Sequence, residues 1–97
     1  MRRGEVWRYA GLRERDVLIV QANAAAPTAP TVMAIPLASV DDVIETLTTI
    51  RINGTWIADT TRVGEFRRVS LTKRMATVPA HEMDQLGAAL RLALDLG

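Results

Sequence analysis

The sequence predicts a mainly β fold of the α+β type: an antiparallel sheet or small barrel with one C-terminal helix packed on it. Three observations carry this. Short runs rich in β-branched residues recur along the chain, Asn53-Gly54 marks a tight turn between two of them, and a sustained helical apolar stripe closes the sequence. No strand–helix–strand unit repeats, which argues against a parallel α/β sheet.

In chain order, Gly4–Tyr9 and Arg15–Gln21 read as two strands joined by the hairpin-length link Ala10–Glu14. The run VLIV (17–20) does not alternate, so the second strand is expected to be central and covered on both faces. ANAAAPTAP (22–30) carries two prolines and is expected to be a loop, and TVMAIPL (31–37) returns to strand, with Pro36 pointing to an edge or a bulge. In SVDDVIETL (39–47), Val40, Val43, Ile44 and Leu47 recur at helical spacing behind a capping serine, which predicts a short helix or helical turn. LTTIRI (47–52) and TWIADTTRV (55–63) form a hairpin about Asn53-Gly54, a pair suited to positive φ at both central positions. GEFRRVSLTKRM (64–75) has no clear period. From about Pro79 to Leu96 the spacing of Met83, Leu86, Leu90 and Leu94, with Ala89 and Ala93, predicts a helix; Glu82 suits its positive end and Gly97 its C′ position.

A chain of 97 residues is expected to form one domain, residues 1–97, burying roughly two-thirds of the surface its unfolded chain exposes. Hydrophobic residues make up 48% and aromatics only 4% (Trp7, Tyr9, Trp56 and Phe66), so the core should be aliphatic. The absence of cysteine excludes disulfides, thiolate metal sites and cysteine nucleophiles, and a single histidine argues against a metal enzyme; no metal or cofactor is expected. Neither a signal-type apolar region after Arg2-Arg3 nor a membrane-length apolar run is present, so the expected location is the cytoplasm, with no membrane partner.

The net charge of +1 does not by itself argue for nucleic acid, so the placement of charge matters more. Arg62, Arg67, Arg68, Lys73 and Arg74 fall within thirteen residues with Glu65 as the only acid among them, and Arg2, Arg3, Arg8, Arg13 and Arg15 form a second group. Gathered on one face they would bind a polyanion; dispersed, they are an ordinary solvated surface. His81, at the start of the last helix, is a general base by residue type or a solvated helix position. Nucleotide-binding glycine loops are absent. Arg13-Glu14-Arg15 reads either as a hairpin turn kept in water by its charges or as a guanidinium entering a central strand, where it could stabilise a phosphorane.

The order of these segments resembles the MazF/PemK family of toxin endoribonucleases. MRRGEVWRY is similar to that family's opening Arg-Gly-acid-aliphatic-aromatic strand, and RDVLIVQ (15–21) to its Arg-Pro-aliphatic run, with Asp16 in place of the proline. APTVMAIPLAS (29–39) resembles its Pro-Thr-Val strand, and LTKRMATVPAHEMDQLGAALRLALDL (71–96) its ending. The resemblance covers essentially the whole chain and implies an SH3-like antiparallel barrel with a C-terminal helix. It also implies a homodimer that cleaves single-stranded RNA without metal, restrained by a cognate antitoxin protein. In such chemistry the 2′-hydroxyl attacks the adjacent phosphate, so a site must deprotonate it, steady the phosphorane and protonate the leaving oxygen.

Carried over residue by residue, Arg15 matches the family's arginine at the start of the second strand. The assisting Thr or Ser falls on Ala38, with Ser39 as a shifted candidate, and the acid of the later strand falls on Thr61, with Asp59 two residues earlier. On a strand Asp59 and Thr61 would share a face. Arg8, Arg13, Arg62, Arg67 and Arg68 are the basic residues that would contact RNA. The family's long, glycine-rich first loop is reduced here to Ala10–Glu14, which would leave the groove open to water. The resemblance therefore leaves two alternatives: a catalytically impaired relative that binds RNA or a partner protein, and a gyrase-poison-type toxin, although the chain ends LDLG without a terminal aromatic anchor.

Overall fold

A computed structural model describes residues 1–22, 24 and 29–96. Of the loop expected over 22–30, residues 23 and 25–28 lie outside the described residues, as does Gly97, expected at the helix C′ position. Strands β1 (Glu5–Ala10) and β2 (Glu14–Ile19) form an antiparallel hairpin running from Val6 opposite Leu18 to Ala10 opposite Glu14. Val17, Leu18 and Ile19 are all fully buried, as the unalternating run requires of a central strand. Strand β3 (Thr31–Ser39) pairs with β2 through Ala34–Pro36, and the hairpin β4 (Thr49–Ile52)–β5 (Trp56–Asp59) joins it through β5. Asn53 and Gly54 both take positive φ, 52° and 69°, at the two central positions of the turn that the Thr55 N–H closes on Ile52 O, and Thr55 makes the connection three residues long.

The segment 64–75, without a clear period in sequence, resolves into β6 (Gly64–Arg67), a 3₁₀ turn (Arg68–Ser70) and β7 (Leu71–Thr77). Strand β6 pairs with the first half of β3, and β7 with β1. Laid flat, the order β6-β3-β2-β1-β7 would hold its two outer strands about 19 Å apart. The three residues that join them reach at most about 14 Å, so the sheet must curl. The result is an antiparallel, barrel-like sheet of seven strands with helix α1 (Ala80–Leu96) packed on it.

Two apolar clusters hold this arrangement. Val6, Leu18, Ile35, Ile52, Ala58, Val78 and Leu86 join the sheet to α1, and Val17, Ile19, Ala24, Val32, Ala34 and Leu71 fill the space between the curled strands, with Trp7, Tyr9 and Phe66 packed against them. The helical stripe holds for its first turns, where Leu86 and Ala89 are buried, but Leu94 is 80% exposed. Glu5 is buried and fastens the start of the chain to β7. It accepts from the Arg2 backbone N–H (2.8 Å), the Trp7 indole (3.0 Å) and Arg74 Nη1 (3.3 Å).

Three expectations need correction. Residues 40–48 form turns and bends, not a helix: Ile44 and Leu47 are 86% and 80% exposed, so their spacing buries nothing. Local polar groups capture the backbone instead. The Val40 N–H donates to Thr55 O, Ser39 Oγ accepts from the Asp41 N–H, and Thr46 and Thr49 exchange hydroxyl and backbone bonds. Strand β5 stops at Asp59, where a 3₁₀ turn (Thr60–Arg62) replaces the strand expected through residue 63. Pro36 lies neither on an outer strand of the sheet nor in a bulge. It falls in the gap where β3 changes partner, since pairing with β6 ends at Ala34 and pairing with β5 begins at Leu37.

Leu86→Ala should lower stability by about 2–5 kcal/mol in chemical denaturation, because it removes a fully buried anchor of α1. Burial pushes the Glu5 carboxyl upward, but hydrogen bonds from Trp7, Arg2 and Arg74 outweigh it and hold it below the ordinary 4.5. A lowered folded-state value stabilises above the unfolded one. Thermal melts should therefore show the advantage of wild type over Glu5→Gln in full at neutral pH, and it should fade as pH falls below about 4.5.

Candidate functional site

Strand alternation determines which side chains meet. Arg15 lies on the face of β2 that carries Val17; Pro36 is opposite Val17, Ala38 follows two residues on, Ile57 is opposite Ala38, and Asp59 closes the row. Arg15, Pro36, Ala38, Ile57 and Asp59, together with Leu37, Val43 from the 40–48 loop and Arg62 from the 3₁₀ turn, line a groove of about 250 Å³. Its floor is apolar. Its charged groups are Arg15, Asp59 and Arg62.

Asp59 is the cap of the Thr60–Arg62 turn. Its Oδ1 accepts from the Thr61 N–H (3.0 Å) and from Thr61 Oγ1 (2.7 Å), while its Oδ2 lies 3.8 Å from Arg62 Nε. Asp59 and Thr61 are thus brought together by a turn and not by a shared strand face. Thr61 orients the carboxylate without lining the groove itself. Ser39 does not line it either: alternation turns it to the face opposite Ala38, and its hydroxyl holds the Asp41 N–H at 3.2 Å. The groove position that the resemblance reserves for a hydroxyl is the methyl of Ala38.

Behind Arg15, on the opposite face of β2, Asp16 accepts from Arg8 Nε on β1 (2.7 Å) and from the Trp56 indole on β5 (3.2 Å). One carboxylate therefore ties three strands together where Arg15 leaves the sheet. The hydrogen bond and charge of Asp16, with Glu14 at 3.4 Å, hold the Arg8 guanidinium above its ordinary value. Arg8, expected to contact RNA, is committed to this network. Arg68 is likewise turned inward: it donates to the Ala24 carbonyl and lies 3.8 Å from Met1 Sδ, and its Nε and Nη2 are buried without a partner among the described residues. Arg67 is exposed on β6 opposite Thr31, away from the groove. Arg13 is exposed in the 11–13 loop and lines a second cavity, which shares Arg15 with the groove.

Of the residues singled out in the sequence, Arg15, Asp59 and Arg62 converge on the groove. Sequence reasoning missed Val43, placed there by a loop expected to be helical, and it gave Asp16 no role beyond replacing a proline. Among the described residues, no group of three or more His, Asp or Glu side chains could hold a metal ion, and no helix is long and apolar enough to cross a membrane.

Solved structures similar to this one include endoribonucleases from mycobacterial species and MazF toxins. An endoribonuclease from a mycobacterial species, in complex with its cognate antitoxin, superposes with a TM-score of 0.86 at 22% identity, covering 100% of this chain and 97% of that one. A chain of the MazE–MazF complex from Deinococcus radiodurans gives 0.84 at 13% identity over 98% and 96%. The MazF-mt6 toxin of Mycobacterium tuberculosis gives 0.81 at 15% over 94% and 96%. The chain therefore has the MazF fold along essentially its whole length. No protein-family model and no curated protein matches it by sequence, so the likeness is one of fold.

Asp16→Ala should expose the indole bond of Trp56, shifting tryptophan emission and lowering stability by about 1 kcal/mol from that bond alone. Unchanged emission would show that the carboxylate does not hold β5.

Proposed function

We propose that this protein is a divergent MazF/PemK-type toxin, a single-domain endoribonuclease that cleaves single-stranded RNA in the cytoplasm and is neutralised by an antitoxin. The observation that carries this reading is the convergence of Arg15, Asp59 and Arg62 on one open groove of a fold shared with toxin endoribonucleases. In the proposed step, Asp59 takes the proton of a ribose 2′-hydroxyl as its oxygen attacks the adjacent phosphorus. The P–O5′ bond breaks, a 2′,3′-cyclic phosphate forms, and the leaving 5′-oxygen receives a proton from solvent. Arg15 and Arg62 neutralise the phosphorane, for which the planar guanidinium fork is suited. Thr61 keeps Asp59 aimed, and Ser39 takes no part in the step. No cofactor is needed, because the nucleophile belongs to the substrate.

The antitoxin is proposed to present an acidic segment that folds against the groove, pairing with the same two arginines. A homodimer is part of this reading. The exposed side of α1 around Leu94, beside an apolar cavity lined by Val20, Val63, Leu90 and Ala93, offers it surface.

Ala38 favours a second reading, in which the groove binds RNA without cutting it, because no hydroxyl stands where the resemblance expects one. Incubation with mixed-sequence RNA in EDTA separates the two. Cleavage with cyclic-phosphate ends should fall by about 10²–10³ in Arg15→Ala and by at least as much in Asp59→Asn. Tight, salt-sensitive binding without product would establish the second reading.

A further inference from the structure

The Asn53-Gly54 turn carries a chemistry that the groove does not use. Both residues are exposed, and a Cβ built on Gly54 would meet nothing within 4 Å, so the turn stands in open solvent. Among the described residues, neither the Gly54 N–H nor the Asn53 side-chain amide makes a hydrogen bond, which leaves a free nitrogen next to a free carboxamide. The peptide between the two residues is held on its other side, where Thr55 Oγ1 donates to the Asn53 carbonyl oxygen at 3.4 Å. The turn is also tied to the terminal helix: the Asn53 backbone N–H donates to Glu82 Oε1 at 2.9 Å.

We propose that Asn53 is a self-modification site, which loses its side-chain nitrogen as ammonia and so ages the hairpin that carries Asp59. The Gly54 nitrogen loses its proton to hydroxide and attacks Asn53 Cγ. The new N–Cγ bond closes a succinimide ring, the Cγ–Nδ2 bond breaks, and the leaving nitrogen takes a proton from water and departs as ammonia. Water then opens the ring at Cγ to give aspartate, or at the main-chain carbonyl to give isoaspartate. The peptide anion formed on the way carries its charge on the Asn53 carbonyl oxygen, where the Thr55 hydroxyl already donates. That oxygen and that hydroxyl both lie beyond the Asn53 Cα–C bond whose rotation brings Cγ to the nitrogen, so the contact turns with the peptide. Glycine at position 54 leaves the attacking nitrogen unshielded, whereas Asn23 is followed by Ala24, whose methyl crowds the same attack. Either product puts a carboxylate beside the Glu82 carboxylate that holds this turn to α1. Isoaspartate also adds a methylene to the main chain inside the turn that the Thr55 N–H closes on Ile52 O at 3.0 Å. Both changes loosen the β4–β5 hairpin from the helix.

The test ages the full chain in warm, mildly alkaline buffer, folded and in parallel unfolded in urea, and follows the peptide containing Asn53 by mass. In the folded protein that peptide should gain about one dalton, part of it as isoaspartate that an isoaspartyl methyltransferase labels with a methyl group. Thr55→Val, at an exposed position, should slow the gain about two- to tenfold in the folded chain, the worth of one hydrogen bond, and leave the rate in urea unchanged. The isoaspartate-bearing fraction should melt below freshly purified protein. Asn53 still intact in the folded protein once the unfolded sample has converted overturns the proposal. Equal folded-state rates in Thr55→Val and wild type overturn the part given to the hydroxyl, and an isoaspartate-bearing fraction that melts with fresh protein overturns the link to α1. Should Thr55→Val not fold, the comparison of folded and unfolded wild type decides the modification alone. Each result stands whether or not the protein cleaves RNA, because Asn53, Gly54 and Thr55 do not line the groove.

Discussion

The nine-residue strand β3 pairs with three other strands, and the position of the groove follows from where its ladders change over. Thr31–Ala34 pair with β6, Ala34–Pro36 with β2 and Leu37–Ser39 with β5, so that Pro36 stands where β6 has ended and β5 begins. A proline has no N–H to lose from a ladder, so the changeover sits where it costs least. The chain diverges there: β6 turns toward β7 to close the curl, and β5 carries Asp59 and the turn bearing Arg62 in the other direction. The groove lies over this last part of β3, between Arg15 on β2 and Asp59 at the end of β5, and is floored by Pro36, Ala38 and Ile57.

Two carboxylates do the local work of orienting that groove, and both act through hydrogen bonds a few residues away or across strands. Asp59 ends β5 by capping the turn that follows, which places its own second oxygen and Arg62 on the same side. Asp16 holds Arg8 and Trp56 on the back of β2, directly behind the position where Arg15 leaves the sheet. Charges that in sequence look like one basic surface are thereby divided. Arg8 and Arg68 serve the fold, whereas Arg13 and Arg15 are exposed and Arg62 stands in the groove 3.8 Å from Asp59.

The two cavities meeting at Arg15 differ in chemistry. One has an apolar floor with a carboxylate and two guanidinium groups; the other is an aromatic corner under a short loop. In each, the essential neighbour arrives from a distant part of the chain: Asp59 and Arg62 from beyond the Asn53-Gly54 hairpin, Phe66 from β6. The curl that fills the apolar core is the same curl that assembles the site.

Local signals were legible wherever one residue type answers one conformational demand. Asn53-Gly54 meets positive φ, the unbroken VLIV run meets burial on both faces, and the spacing of Met83, Leu86 and Leu90 meets a sheet along one side of a helix. The 40–48 segment shows the limit of that logic, because its apolar spacing satisfied a helix that no surface was available to bury. Arg15 was singled out by its match to an arginine that the resemblance places at the head of a strand, but Asp59 could be linked to Thr61 only by assuming a strand that in fact ends at Asp59. From the sequence alone come the first five strands in outline, the terminal helix and the antiparallel character. Tertiary structure alone decided which arginines are spent in ion pairs, that Ser39 faces away while Ala38 faces in, and that Tyr9 meets Phe66. Those outcomes depend on strand register and sheet closure, which are set by contacts between residues far apart in the chain and leave no period in the sequence.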